Sequence, residues 1–194
     1  MTDTEEFQIL IRKVRAGDTD ASREFVNTYE PAIRRAARIR ILDPRLTSLL
    51  DSSDIMQSVF ASFFVRAASG QYELEEPQQV LALLVSMSRK KLVDYARKQA
   101  ASRRDYRRNR RMGKSMQAAR AEVDPAQQVA SAELVAEFRK RLSPEEKTLA
   151  DLRANGEAWD AIATAQGESA EAIRKKLERA VARISRDLGL DEED

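Results

Sequence analysis

The chain has 194 residues and nearly balanced charge, 34 Lys and Arg against 32 Asp and Glu, with no Cys and no His. That length allows one or two domains with modest cores, and the missing residue types exclude disulfides, cysteine nucleophiles, thiolate zinc sites and imidazole acid–base chemistry. The longest apolar runs, such as 80–85, are far too short for a bilayer and the start is acidic instead of signal-like, so a soluble cytoplasmic protein without membrane insertion is expected.

Almost every segment repeats its apolar residues with helical period, and Gly and Pro fall at the boundaries. Helices are predicted over 4–16, 20–42, 52–68, 78–99, 126–141, 144–155, 158–165 and 169–188, with no alternating strand and no internal repeat. The expected fold class is all-α. The stretch 100–125 lacks apolar periodicity and is rich in Arg, Ser, Asn and Gln, which makes it the natural flexible linker between a helical domain at 1–99 and a second at 126–194. Charge is spread unevenly: from Arg97 to Arg120 Lys and Arg crowd together with Asp105 as the single acid. Such a block suits a polyanion, nucleic acid foremost, and is equally compatible with a solvated linker.

In the first domain the segment from Asp51 through Asp54 and Gln57 to Phe63 is the most informative. On a helical wheel Met56, Val59, Phe60, Phe63 and Ala67 form a buried stripe, while Asp54, Gln57, Ser58 and Ala61 line a small, polar face that another helix could approach. From that helix alone, the wet side of a core helix is the more economical reading. The next helix carries Arg89, Lys90, Arg97 and Lys98, cations suited to phosphate, beside Leu84 and Met87 of a core stripe. Between the two lies a loop, 69–77, holding Tyr72, which either accepts an unstacked base or packs down on the domain.

The second domain reads as a helix-turn-helix. Ser143 caps a helix, Pro144 takes its first position, Glu146 completes a capping box and Gly156 supplies a left-handed stop. A short helix follows, then a turn at Gly167, then a long helix opening at Ser169 with Glu171 at the positive end of its dipole. Along it Ile173, Leu177, Ala180, Ile184 and Leu188 share one stripe, and Lys175, Lys176, Arg179, Arg183 and Arg186 fall on the opposite side. One such helix is most simply an amphipathic helix with a solvated basic face; the order of helix, short turn and basic helix favours a nucleic-acid groove.

Taken together these residues resemble the bacterial RNA polymerase sigma factors of the extracytoplasmic-function group, over about 7–188. Asp51, Asp54, Gln57 and Phe60 resemble the family's core-polymerase-binding helix, Arg89, Asp94 and Arg97 its promoter-melting helix, and Leu142 to Glu145, Gly167, Ser169 and the run from Arg174 to Ala180 its helix-turn-helix. The chain departs from the family at Leu83, where Trp is frequent, at Lys90, where Asn is frequent, at Ser58, where an acid is usual, and at Gln166 and Glu168, where apolar residues usually flank the Gly.

The resemblance implies a detachable specificity subunit without catalysis, metal or cofactor. Asp51, Asp54, Gln57, Ser58 and Ala61 would dock on a coiled coil of the largest subunit of core RNA polymerase. Tyr72, Arg89, Lys90, Asp94 and Arg97 would serve the downstream promoter element and its melting; Ser169, Glu171, Arg174, Lys175 and Arg179 would serve the upstream element, with Arg174 and Lys175 nearest the bases. Promoter DNA and the polymerase are the implied partners, and an anti-sigma factor is a further one that the resemblance allows. The alternatives are a free-standing helix-turn-helix regulator that binds duplex DNA alone, a magnesium-dependent nuclease using Asp51 and Asp54, and a protein-binding scaffold. The core-binding face argues against the first, the absence of His and of a phosphate-cradling Gly loop against the second, and the basic linker and recognition helix against the third.

Overall fold

The computed structural model describes residues 3–40, 53–108 and 125–190. The protein is all-α. The helices among the described residues, in chain order, are α1 (Asp3–Ala16), α2 (Thr19–Arg40), α3 (Ser53–Ala68), α4 (Pro77–Arg108), α5 (Pro125–Arg141), α6 (Pro144–Ala154), α7 (Trp159–Gln166) and α8 (Ala170–Asp187). Most bounds fall within a residue or two of the periodicity; α4 is the exception, running on to Arg108 where a helix end near 99 is predicted. The extension holds Ala100, Ala101 and four Arg, residues of high helix propensity, so the backbone stays helical after the apolar period has stopped. The predicted end of the second helix at 42 lies outside the described residues.

Two buried clusters organise these helices. The first is aromatic, with Phe7, Phe25, Tyr29, Phe60, Phe63 and Phe64 among Ile11, Ile33, Val59, Leu84 and Leu92. The second is aliphatic apart from Phe138 and Trp159, and encloses Leu142, Leu149, Ile162, Ile173, Leu177, Val181 and Ile184. The foreseen stripe of α3, Met56, Val59, Phe60, Phe63 and Ala67, is buried throughout.

α3 is the hub: it touches α1, α4, α5, α6 and α8. Its C-terminal half is therefore buried on most sides, Ser62 and Val65 as well as the Phe pair, with Ala61 and Arg66 half-buried, and Val65 belongs to the second cluster although the buried apolar residues of the rest of α3 lie in the first. α5 bridges in the opposite sense, with Val135 in the first cluster and Phe138, one turn on, in the second. Gly17, in the left-handed region at φ +82°, makes room for that bridge, since a Cβ there would stand 3.1 Å from Val135 Cγ1. Among the described residues no helix is long and apolar enough to cross a membrane.

Candidate nucleic-acid interface

α6, α7 and α8 owe their ends to local chemistry. Ser143 Oγ accepts from the Glu146 amide at 3.2 Å and Glu146 Oε2 accepts from the Ser143 amide at 2.8 Å, which completes the capping box and satisfies two otherwise unpaired N–H groups. Gly167 closes α7 at φ +69°, a conformation that costs a residue with a side chain about 1–2 kcal/mol. Two residues on, Ser169 Oγ accepts from the Ala172 amide at 3.2 Å and starts α8. Ile173, Leu177, Ala180 and Ile184 point inward, and Val181 and Ser185 are buried too, which widens the apolar stripe on the flank where α8 meets α3.

Ser169, Glu171, Arg174, Lys175 and Arg179 are all exposed at the N-terminal half of α8. Lys175 is paired with Glu171 one turn earlier at 2.7 Å, an exposed pair that competing phosphates can replace. Arg174 sits with its guanidinium carbon 5.6 Å from the centre of the Trp159 ring, within cation–π range. The basic face is narrower than the wheel suggests, however. Lys176 Nζ lies 2.5 Å from Glu145 and 3.3 Å from Glu168, and the Glu145 hydrogen bond holds that ammonium above the ordinary lysine range. Arg183 donates to both carboxylate oxygens of Glu146, at 3.0 and 2.8 Å. These two cations fasten α8 to the start of α6.

The 69–76 loop is held from below by α1 and at its end by the first turn of α4. Gln8 Nε2 donates to the carbonyls of Leu74 at 3.1 Å and Glu75 at 2.8 Å, Arg15 Nη2 donates to Tyr72 O at 2.7 Å, and Gln79 Oε1 accepts from the amides of Glu75 and Glu76. Of the two readings of Tyr72, the ring packs down: it stacks on Phe63 at 5.8 Å and 14°, with its hydroxyl 3.9 Å from Met87 Sδ. Beyond the loop, Arg89, Lys90 and Arg97 are exposed along α4, and Asp94 is half-buried 4.0 Å from Arg97. Lys91 donates to Leu190 O at 2.6 Å, so the residues that follow α8 reach this helix. On α3, Gln57 is exposed and Ser58 and Ala61 are half-buried, while Phe60 is a core residue; Asp54 falls in the first turn and Asp51 outside the described residues.

The loop and the α6–α8 unit also face each other directly. Arg153 of α6 is 6% exposed; its Nη1 donates to Glu157 O and its Nη2 lies 3.5 Å from both Gly70 O and Glu73 Oε1. Its guanidinium carbon stands 4.4 Å from the centre of the Trp159 ring. Gly70, at φ +68°, has no space for a side chain, because a Cβ would land on Arg153 Cβ. Nearby, Arg139 bonds Asp151 at 2.7 Å and donates to Arg15 O at 3.3 Å. Burial, then repulsion from Arg153, lowers the Arg15 pKa; burial also lowers that of Arg153, partly offset by Glu73 and reinforced by Arg174. None of Arg15, Arg139 and Arg153 carries a motif signature, because each bonds a backbone carbonyl far along the chain, up to 124 residues away, whatever carboxylate it also meets.

Among the described residues no group of three or more His, Cys, Asp or Glu could hold a metal ion. A comparison with curated proteins finds no match, and one with solved structures finds none either. The family model described as ECF sigma factor matches residues 4–189, and so takes in the α3 face, the α4 cations and the whole of α6 to α8. The chain belongs to the ECF sigma factor family, whose role is in the initiation of transcription.

Proposed function

We propose that this chain binds core RNA polymerase through the outer face of α3 and directs it to promoters that α8 reads in the major groove. The observation that carries the reading is the N-terminal half of α8, where Ser169 caps a helix whose first three turns expose Arg174, Lys175 and Arg179 just after the Gly167 turn. Residues at the start of such a helix lie nearest the base edges and those further along meet phosphates. Arg174 and Lys175 are accordingly the base-reading candidates and Arg179 the phosphate contact, with Ser169 and Glu171 at the entry. Lys176 and Arg183, tied to α6, support the unit instead.

The 1–99 segment serves as the polymerase-binding and melting domain, 126–194 as the helix-turn-helix domain, and 100–125 as the basic connection between them. Asp51, Asp54, Gln57, Ser58 and Ala61 face a coiled coil of the largest polymerase subunit; Arg89, Lys90 and Arg97 take the phosphates of the melted strand, with Asp94 orienting Arg97. With Tyr72 stacked on Phe63, the ring forms the floor on which an extruded base would rest, not a free shelf. An anti-sigma factor would compete for these same surfaces.

The test is transcription of fragmented genomic DNA by purified core polymerase with and without the chain, with mapping of RNA start sites. New starts sharing a pair of upstream sequences are the expected result; none, with specific duplex binding by the chain alone, identifies a free-standing regulator instead. Arg174→Ala should cost about 1–3 kcal/mol at one base pair of the upstream element, whereas an equal loss over all sequences would make it a phosphate contact. Gln57→Ala should weaken association with core polymerase and leave duplex binding and helix content unchanged.

A further inference from the structure

We propose that the cleft between the 69–76 loop and α8 is a binding site for a free α-amino acid. The cleft holds about 310 Å³, at the small end of ligand pockets, and is lined by Gln71 and Glu73 of the loop, Trp159 of α7, and Arg174 and Glu178 of α8. That lining is one guanidinium, two carboxylates, one carboxamide and an indole. A plain anion suits it poorly because two carboxylates face the same space, and a plain cation suits it poorly because Arg174 does. A small molecule that carries both charges close together suits all of it.

These groups are available as well as present. Among the described residues the Arg174 side chain forms no ion pair and no hydrogen bond, only its contact with the Trp159 ring, and the Glu178 carboxylate one turn on has neither. Their order explains why opposite charges on adjacent turns stay apart: an acid that follows a base by four residues pairs less well on a helix than one that precedes it, as Glu171 precedes Lys175. The Glu73 carboxylate is engaged by Arg153 at 3.5 Å but its side chain is 67% exposed, so it keeps acceptor capacity. Arg153 and Arg174 share the Trp159 ring, at 4.4 and 5.6 Å; burial lowers the Arg153 pKa, Glu73 raises it and the Arg174 charge lowers it again. An amino acid answers each group. Its carboxylate takes the two-pronged contact that Arg174 offers and relieves the repulsion between the two guanidiniums. Its ammonium has three donors, for which Glu73, Glu178 and the Gln71 carbonyl oxygen are three acceptors. The exposed part of the Trp159 ring meets its carbon atoms. Given the reading of Arg174 above, on which this step rests, the amino acid and an upstream base pair compete for one guanidinium.

Trp159 is the single Trp of the chain, so its fluorescence reports on the cleft itself. The non-aromatic L-amino acids are titrated singly into the native chain at fixed ionic strength, with calorimetry as a second readout. Saturable binding at one site is expected for at least one of them. Its N-acetyl form, which keeps the carboxylate and loses the ammonium, and its α-amide, which does the reverse, should each bind at least about tenfold more weakly, the worth of one hydrogen bond to a charged group. Glu178→Gln should weaken binding by a similar factor, whereas Glu76→Gln, on the same loop but outside the cleft, should leave it unchanged. No saturable response in either readout overturns the proposal. So does an N-acetyl form that binds as well as its parent, the mark of a plain anion site, and so do equal effects of the two substitutions. The competition is read separately, as a fall in affinity for a promoter duplex recovered by start-site mapping when the amino acid is saturating. Binding in the cleft without that fall keeps the site and removes Arg174 from base reading.

Discussion

The N-terminal helices pack around stacked rings, Phe25 on Phe63 at 4.7 Å and Phe60 on Phe64 at 6.1 Å, whereas α6 to α8 enclose mostly aliphatic side chains and fix their ends with caps and cross-helix ion pairs. The first half is long helices held by burial, with α3 in the middle touching neighbours on nearly every side. The second is short: α7 has 8 residues and α6 has 11, below the length at which a helix persists alone, so their termini matter as much as their faces. Burial makes the first half the rigid base. Local capping makes the second a unit whose surface can be rewritten without disturbing its interior.

The largest expected effect tests the burial side of that contrast. Phe63→Ala removes a fully buried ring stacked on both Phe25 and Tyr72 and should cost about 3–5 kcal/mol, read as a lower denaturant midpoint. If amide exchange in α8 accelerates as well, the two halves unfold as one cooperative body through α3 and α5; if it does not, they are energetically separate despite their contact. Next in size, Ser143→Ala breaks a capping box and should cost about 1 kcal/mol, with faster exchange confined to the start of α6. A loss spread into α1–α4 would erase the distinction between a capped half and a packed half.

The same contrast explains what could be read from the chain. Caps and stops are local: Ser143, Glu146, Gly156, Gly167 and Ser169 lie within a few residues of the groups they bond, so the elements of the second half were legible almost to the residue. The α3 stripe was legible because burial follows helical period. The contact between the 69–76 loop and α6 was not, since Arg153 meets the carbonyl of Gly70 across 83 residues and no side-chain pattern announces a carbonyl. Nor was the buried flank of α3: Val65 lies off the stripe, and only the arrival of a second cluster explains its burial. The wheel of α8 placed Lys176 and Arg183 on the basic side correctly but could not show that Glu145 and Glu146 stand opposite them.

That last pairing yields the smallest effect and the finest discrimination. Arg183→Gln removes a two-pronged contact with Glu146, whose side chain is 17% exposed and already serves the capping box, so the arginine braces the cap as well as neutralising the acid. Because Arg183 is itself about half-exposed, the loss should be no more than about 1 kcal/mol and should shrink as salt screens the pair. Promoter affinity, measured at fixed salt, should then fall only in proportion to the lost stability, and its dependence on salt concentration should be unchanged. A phosphate-binding Arg183 would behave otherwise: its removal would reduce the slope of log affinity against log salt by about one, with stability untouched. The slope therefore decides whether the second half of α8 faces DNA or faces α6.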